Sequence, residues 1–129
     1  KLREMYGKNI VAVKTLERID PREKVVVVDG VRSLDEVEVF RRSGETIIIA
    51  VHASPKTRYE RLIKRGRPGD PSNWEDFVKR DMLELSFGLG NVIALADYMI
   101  VNETTIKEAY RGAYNILKKL VEKNAEDKG

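Results

Sequence analysis

The sequence has 129 residues, of which 24 are basic and 21 acidic, so the formal net charge is only +3 and does not favour a nucleic-acid partner. Hydrophobic residues form 42% of the chain, enough for the core of one small domain. Cysteine is absent, which excludes disulfides and thiolate metal sites. The sequence shows no apolar run near the roughly 20 residues of a membrane-spanning helix and no charged-then-apolar leader, so we predict a cytoplasmic protein without a membrane partner. The 35% of charged residues, without glutamine, is typical of a thermophile.

The first half of the chain predicts alternating strands and helices. Residues 1–19 have a helical pattern from the first position without a starting Met or a cap, so we expect the natural chain to begin further upstream. Two β-branched apolar runs, Val25–Val28 and Ile47–Val51, lack the alternation of half-exposed strands and predict parallel strands covered on both faces. A helix is predicted after each run, with Ser33 opening a capping box for the first, and with Ser54 as the cap and Pro55 in the first turn of the second. This βαβα order predicts an α/β fold.

The second half interrupts this alternation with a loop and a helix. Gly66–Ser72 is rich in glycine and proline and predicts a loop, and Asn73–Leu85 has apolar residues at helical spacing. A third apolar strand is predicted at Tyr98–Val101, followed by a final helix that opens at Thr104 or Thr105. Because no linker or repeat separates these elements, we predict a single domain over residues 1–129.

A possible ligand-binding turn follows the first predicted strand. Asp29, Gly30 and Arg32 come where a buried parallel strand ends, and ligand crevices of α/β sheets form at that edge. There a carboxylate can hold Mg²⁺, a glycine lets a ligand approach the backbone, and an arginine can bind phosphate through two parallel hydrogen bonds. An ordinary turn with a solvated arginine would give the same residues, so both interpretations stay open.

A row of arginines follows the second predicted strand. Arg58, Arg61 and Arg65 lie at i, i+3 and i+7 and share one helical face, with Arg67 just beyond and Arg80 in the next helix. With the flexible loop at their end, they could close positive charge over a polyphosphate. The alternative is a solvated face with ordinary ion pairs. The acidic residues available for such pairs are Glu60, Asp76 and Asp81.

The order of these motifs resembles the nucleoside monophosphate kinase and dephospho-coenzyme A kinase group of P-loop proteins. More closely, it resembles an uncharacterised archaeal family of adenylate-kinase-related, nucleotide-binding proteins. The stretches that carry the resemblance are Val25–Glu38, Val51–Arg67, Lys79–Leu85 and Ser86–Asn102. The resemblance implies a P-loop kinase-like fold, with a three-layer αβα parallel sheet and a short helical lid over residues 66–85.

The resemblance also implies roles for individual residues. Asp29 matches the group's carboxylate near the metal. Arg32 resembles the arginine that holds the acceptor's phosphate, and Gly30 belongs to the same acceptor site. The residues similar to lid and nucleotide-binding positions are Arg61, Arg65, Arg67, Arg80 and Asn102, the last near the donor's base. Among all of these, Asp29, Arg65 and Arg80 are the expected catalytic residues.

The sequence departs from the group at the turn before Arg32, where Val31 replaces a proline and one further residue. The more serious departure is that no G-x-x-x-x-G-K-[ST] phosphate-binding loop is present. In this group that loop follows a first strand, which lies in the sheet between the strands matching Val25–Val28 and Ile47–Val51. We therefore expect about 50 to 70 further N-terminal residues in the natural protein, enough for a strand, loop and helix. The 129 residues alone are predicted to bind little ATP and to be inactive, and their open sheet edges could pair in a homo-oligomer.

These observations predict an ATP-binding protein that, when complete, transfers the γ-phosphoryl of ATP with Mg²⁺ to a small, nucleotide-like acceptor. The alternative is a nucleotide-dependent binding switch with slow hydrolysis and no small-molecule acceptor. A third hypothesis is a structural or RNA-associated α/β protein that uses its arginine surface, and the nearly balanced charge does not support it.

Overall fold

The structure, a computed structural model, describes residues 9–128, with side chains described to residue 124. Over this range the fold is mixed α/β, with six helices and two strands. In chain order they are α1 (Ile10–Glu17), α2 (Leu34–Ser43), β1 (Ile49–His52), α3 (Pro55–Arg65), α4 (Trp74–Ser86), α5 (Leu89–Ala94), β2 (Tyr98–Val101) and α6 (Ile106–Lys128). The first eight residues of the helix predicted over residues 1–19 lie outside the described range.

The two strands form a parallel pair. In the register Ile49 lies opposite Tyr98 and His52 opposite Val101, so both strands end at the same edge of the sheet. The ladder continues one step further, because the amide of Asn102 donates to the carbonyl of His52 at 2.7 Å. The strand predicted at Tyr98–Val101 is confirmed, and the one predicted at Ile47–Val51 begins two residues later and ends one residue later. A parallel pair needs a crossover connection, which α3, α4 and α5 supply.

The central core lies where α2 and α5 pack near β1. Val37, Ile48 and Val92 are buried together, one from each helix and one from the residue before β1. Because apolar burial stabilises by about 25 cal/mol per Å², this small cluster fixes the two helices on the sheet. The crossover is thereby held firmly beside β1.

The predicted strand at Val25–Val28 is wrong for the described residues. This segment forms no strand, and Val25, Val26 and Val27 are 50%, 44% and 75% exposed. A β-branched apolar run satisfies the sequence pattern, but a strand exists only when a neighbouring strand pairs with its amides and carbonyls. Over residues 9–128, β1 and β2 pair only with each other. The parallel sheet expected at the centre of a three-layer fold therefore has two strands in this part of the chain.

The predicted helix start at Ser33 and the predicted end at Gly66 are confirmed at the atomic level, whereas the side chain of Ser54 forms no cap hydrogen bond. Ser33 precedes α2, and its hydroxyl accepts the amide of Glu36 at 3.3 Å. The carboxylate of Glu36 accepts the amide of Arg32 at 3.1 Å, one residue before the position that a standard capping box uses. Asn73 caps α4 in the same way, and Gly66 ends α3 with a left-handed φ of 59°. Among the described helices, none is long and apolar enough to cross a bilayer.

Candidate functional site

The edge where both strands end is held by a single carboxylate. Glu103, just after β2, accepts the backbone amide of Ser54 and the hydroxyl of Thr57, the latter at 2.6 Å. The hydroxyl of Thr57, then the amide of Ser54, lower the pKa of Glu103, with a smaller contribution from the charge of Arg61. Glu103 therefore holds the start of α3 against the loop after β2, in place of the side-chain cap that Ser54 does not provide.

Arg61 binds the same loop. Its Nη1 donates to the carbonyl of Asn102 at 2.7 Å and its Nη2 to the carbonyl of Thr104 at 3.3 Å. The side-chain oxygen of Asn102 is buried and has no hydrogen-bond partner within the described part of the chain. Two residues that the sequence assigned to nucleotide binding are therefore in contact, and one of them presents an unsatisfied acceptor. We call Ser54, Thr57, Arg61, Asn102 and Glu103 the sheet-edge network.

Arg58 has a structural role. It donates to the carbonyl of Ala53 at 2.8 Å, forms an ion pair with Asp81 of α4, and lies over the ring of Phe77 at 5.5 Å. Asp81 is one of the three acidic partners that the sequence offered for a row of solvated arginines. For Arg58 the ion-pair interpretation is confirmed, since its guanidinium is shared between α3 and α4.

Three aromatic rings reinforce this contact between the helices. Tyr59 of α3 lies edge-on to Trp74 and to Phe77, with centroid distances of 5.2 and 5.6 Å. Trp74 and Phe77 stack at 5.3 Å. Such pairs stabilise beyond their buried area by about 0.5–1.5 kcal/mol each. The beginning of α4 is therefore fixed on α3 even though the loop between them is open.

Arg65 is held by a carboxylate that sequence reasoning missed. Its Nε and Nη2 donate to the two oxygens of Asp70 at 2.9 and 2.6 Å, a bidentate pair. The side chain of Asp70 is only 6% exposed, whereas that of Arg65 is 41% exposed. The hydrogen bonds from Arg65 are the main cause that lowers the pKa of Asp70 to about 2. The sequence signal that could have predicted this pair is an aspartate five residues after an arginine, inside a loop rich in glycine and proline.

Two further arginines surround the same carboxylate, and we call Arg65, Arg67, Asp70 and Arg80 the Asp70 cluster. The amide of Arg67 donates to Asp70 at 3.1 Å, while its side chain is exposed. The Nη1 of Arg80 lies 3.7 Å from Asp70 and donates weakly to the carbonyl of Gly69 at 3.4 Å. An open cavity of about 360 Å³ adjoins this cluster. Its lining residues are Ile63, Gly66, Arg67, Asp70, Pro71 and Ser72.

The turn at Asp29, Gly30 and Arg32 is joined to α4 by an ion pair. The Nε of Arg32 donates to Glu84 at 2.7 Å, and its Nη1 donates to the carbonyl of Gly30 at 3.3 Å. Gly30 has a φ of 84°, which only glycine adopts readily, and Asp29 is exposed. Sequence reasoning missed Glu84, because nothing local links it to a residue 52 positions away.

The candidate site residues thus fall into three groups, and α4 makes a contact within or beside each of them. Arg80 of α4 belongs to the Asp70 cluster, Asp81 binds Arg58 beside the sheet-edge network, and Glu84 binds Arg32. Over residues 9–128, no group of three or more His, Cys, Asp or Glu side chains has the arrangement of a metal site. The one carboxylate assigned to metal, Asp29, lies at the exposed turn.

Fold and site together define a mixed α/β protein in which α4 pairs with Arg32 and Arg58 and carries Arg80. No family model matches the chain. It is 72% identical over 127 residues to a UPF0200 protein of Staphylothermus marinus, covering 98% of this chain and 67% of that protein. It is 57% identical over 120 residues to a UPF0200 protein of Hyperthermus butylicus, covering 92% of this chain and 64% of that protein. A UPF0200 protein of Methanocaldococcus jannaschii is 46% identical over 124 residues, 94% of this chain and 63% of that protein.

The chain therefore belongs to the UPF0200 family, whose members named above are archaeal. This confirms the prediction that the chain belongs to an uncharacterised archaeal family. The chain spans about two thirds of the length of the curated relatives it matches.

Proposed function

We propose that the complete protein is a P-loop kinase-like enzyme that transfers the γ-phosphoryl of ATP to a small, nucleotide-like acceptor. In this proposal residues 1–129 belong to one domain, and residues 66–85 are its lid. The phosphate-binding loop and the strand before it would lie in the third of the relatives' length that this chain does not cover. The chain supplies the acceptor side and the lid of the site.

The observation that supports this proposal most directly is the state of the Arg32 guanidinium. Glu84 binds its Nε and the carbonyl of Gly30 binds its Nη1, while Nη2 forms no hydrogen bond with a described residue. The Arg32 side chain is 40% exposed, and its guanidinium is oriented by a carboxylate. It can therefore bind a phosphate at low entropic cost, because its rotamer is already restricted. This is the arrangement that an acceptor-binding arginine requires.

The position of α4 supports the same proposal. One helix contacts the acceptor turn through Glu84 and the Asp70 cluster through Arg80, so a movement of α4 would reach both at once. Phosphoryl transfer depends mainly on positioning and charge neutralisation, which a closing lid of arginines provides. Arg65 and Arg80 would neutralise charge on the transferring group, with Arg67 beside them.

The nucleotide and the metal would use the remaining residues. Arg61 and Asn102 lie together at the sheet edge, where parallel sheets bind their ligands. The buried side-chain oxygen of Asn102 can accept a hydrogen bond from the base. A single carboxylate, Asp29, fits Mg²⁺, which keeps several waters and is bound by one or two carboxylates together with substrate phosphates. When bound, the ion neutralises phosphate charge.

Turnover by the full-length protein tests this proposal. We expect ATP consumption that depends on one member of a panel of nucleoside phosphates and dephospho-coenzyme A, measured by a coupled assay. Arg32→Met should raise the acceptor KM by at least about tenfold, because an exposed phosphate contact contributes about 1.5–3 kcal/mol, and should leave ATP binding unchanged. The control is Arg42→Met, which removes an exposed arginine paired only loosely with Glu38 at 3.8 Å.

Two results would contradict the proposal. An acceptor KM that is unaffected by Arg32→Met would show that Arg32 does not bind the acceptor. ATP hydrolysis that no acceptor stimulates removes phosphoryl transfer to a small molecule and favours the nucleotide-dependent switch.

A further inference from the structure

Asp70 uses the face of Arg65 that a phosphate would need. The carboxylate receives both Nε and Nη2, the two parallel donors through which arginine binds carboxylates and phosphates alike. The same carboxylate also receives the amide of Arg67. A polyphosphate that approaches the lid therefore meets Arg65 with its strongest binding edge already occupied.

The charges around Asp70 do not balance. Arg65, Arg67 and Arg80 carry three positive charges against the one negative charge of Asp70, which leaves two positive charges beside an open cavity. Arg80 is held only by a contact of 3.7 Å and a hydrogen bond of 3.4 Å, and the Arg67 side chain is exposed. Such a surplus attracts a polyanion, while the one tight pair resists it.

The partners of Asp70 are all close along the chain. Arg65 is five residues away, Arg67 three and Arg80 ten, so their rearrangement would not disturb the sheet or the buried cluster near β1. The aromatic contacts of Trp74 and Tyr59 hold α4 on α3 independently of the cluster. The carboxylate can therefore be displaced at the cost of local contacts alone.

We propose that Asp70 is an intramolecular competitor that occupies Arg65 in the ligand-free lid and is displaced by the phosphate groups of the bound nucleotide. This inference rests on the proposed function and deepens it, since it states which group pairs with Arg65 of the lid until a ligand binds. The opposite role, a carboxylate that orients Arg65 for the ligand, predicts the opposite effect of its removal. The two roles are therefore separable by one substitution.

Inorganic tripolyphosphate is the probe, titrated calorimetrically into the full-length protein at pH 7.5 and low salt. We expect Asp70→Asn to bind it at least tenfold more tightly than the unsubstituted chain, because the amide keeps the size of the side chain and removes the competing charge. Glu75→Gln is the matched control: it removes one exposed charge from the first turn of α4 and should change the affinity less than twofold. Adding Arg65→Ala to Asp70→Asn should abolish the gain.

Fluorescence of Trp74 is measured on the same variants of the 129-residue chain, in which it is the only tryptophan, and shows whether each variant keeps α4 on α3. Equal or weaker binding by Asp70→Asn with unchanged fluorescence overturns the inference, as does a gain of the same size in Glu75→Gln. If Asp70→Asn alters the fluorescence, Asp70→Ser replaces it, provided that its own fluorescence is unchanged. Its affinity for tripolyphosphate is then judged in the same way. Absence of tripolyphosphate binding in every variant also overturns it.

Failure of this inference is distinguishable from failure of the proposed function. Acceptor-dependent turnover by the full-length protein, together with unimproved binding by Asp70→Asn, rejects only the competitor. Tighter binding by Asp70→Asn without any turnover in the full-length protein retains the competitor and rejects phosphoryl transfer.

Discussion

The two ends of α3 carry arginines of the same helical face but are held in different ways. In its first two turns, Thr57 and Arg61 bind Glu103 and Asn102, partners 46 and 41 residues away that belong to the loop after β2. At its end, Arg65 binds Asp70, only five residues away. The start is therefore part of the tertiary fold, whereas the end depends on local contacts.

This difference shows that charge and spacing do not determine what an arginine does. A guanidinium that binds backbone carbonyls across the fold cannot leave without exposing those carbonyls and loosening the sheet edge. A guanidinium that binds a nearby carboxylate can exchange it for another anion of similar geometry. Substitutions at the two ends should therefore differ in their effect on stability, and three measurements test this.

The largest effect is expected from Arg58→Ala. The substitution removes the bond to the Ala53 carbonyl and leaves Asp81 partly buried without its partner, so we expect a loss of about 2–3 kcal/mol in the free energy of unfolding. Urea denaturation followed by circular dichroism measures it. Arg42→Ala, at an exposed i,i+4 pair, should cost under about 0.5 kcal/mol. Equal losses in both variants would show that Arg58 is a surface residue in energetic terms.

A smaller effect is expected from Thr57→Val. Valine keeps the shape and the β-branch but removes the hydroxyl that donates to Glu103, so the free energy of unfolding should fall by about 1 kcal/mol. The matched control is Thr46→Val, whose hydroxyl makes only a local bond to the Gly44 carbonyl at 3.2 Å and should cost under about 0.5 kcal/mol. A loss at Thr57 no greater than at Thr46 would mean that Glu103 does not hold α3.

The smallest effect appears only in acid. The folded-state pKa of Asp70 is about 2, below its ordinary value of 3.8, and that of Glu103 is lowered from 4.5. The unfolded chain then binds protons more readily, so both contributions to stability are complete above pH 5 and decline as the pH falls through 4 towards 2. Denaturation midpoints measured between pH 2 and 6 should show this decline. Asp70→Asn and Glu103→Gln should each make the stability depend less steeply on pH in this range. An unchanged pH dependence in either variant would show that its carboxylate does not contribute.

Prediction from sequence succeeded where the signal is local. The cap at Ser33, the end of α3 at Gly66 and the strand at Tyr98–Val101 follow from residue types within a few positions, and the structure confirms each. The carboxylates that hold the arginines were harder to foresee. Glu84 and Glu103 are paired with partners about 50 residues away, and only the path of the chain brings them together.

Val25–Val28 shows where a local pattern is insufficient. Its four β-branched residues have a strong strand preference, but hydrogen bonding in a sheet belongs to two segments rather than one, and the described residues offer this segment no second strand. The same limit applies to Asn102, whose position after β2 was predictable but whose buried, unsatisfied oxygen was not.

The sequence by itself determined the mixed α/β character, most helix boundaries and the residues worth testing, because periodicity and capping act over distances of one helical turn. The tertiary structure decided which arginine is structural and which remains exchangeable. Arg58 and Arg61 are held by groups that folding brings from elsewhere, and Arg65 is held by Asp70 in the loop that follows it. The physical reason is that the strength of an ion pair or hydrogen bond depends on the burial and the partner of each group, and both are set only when the chain has folded.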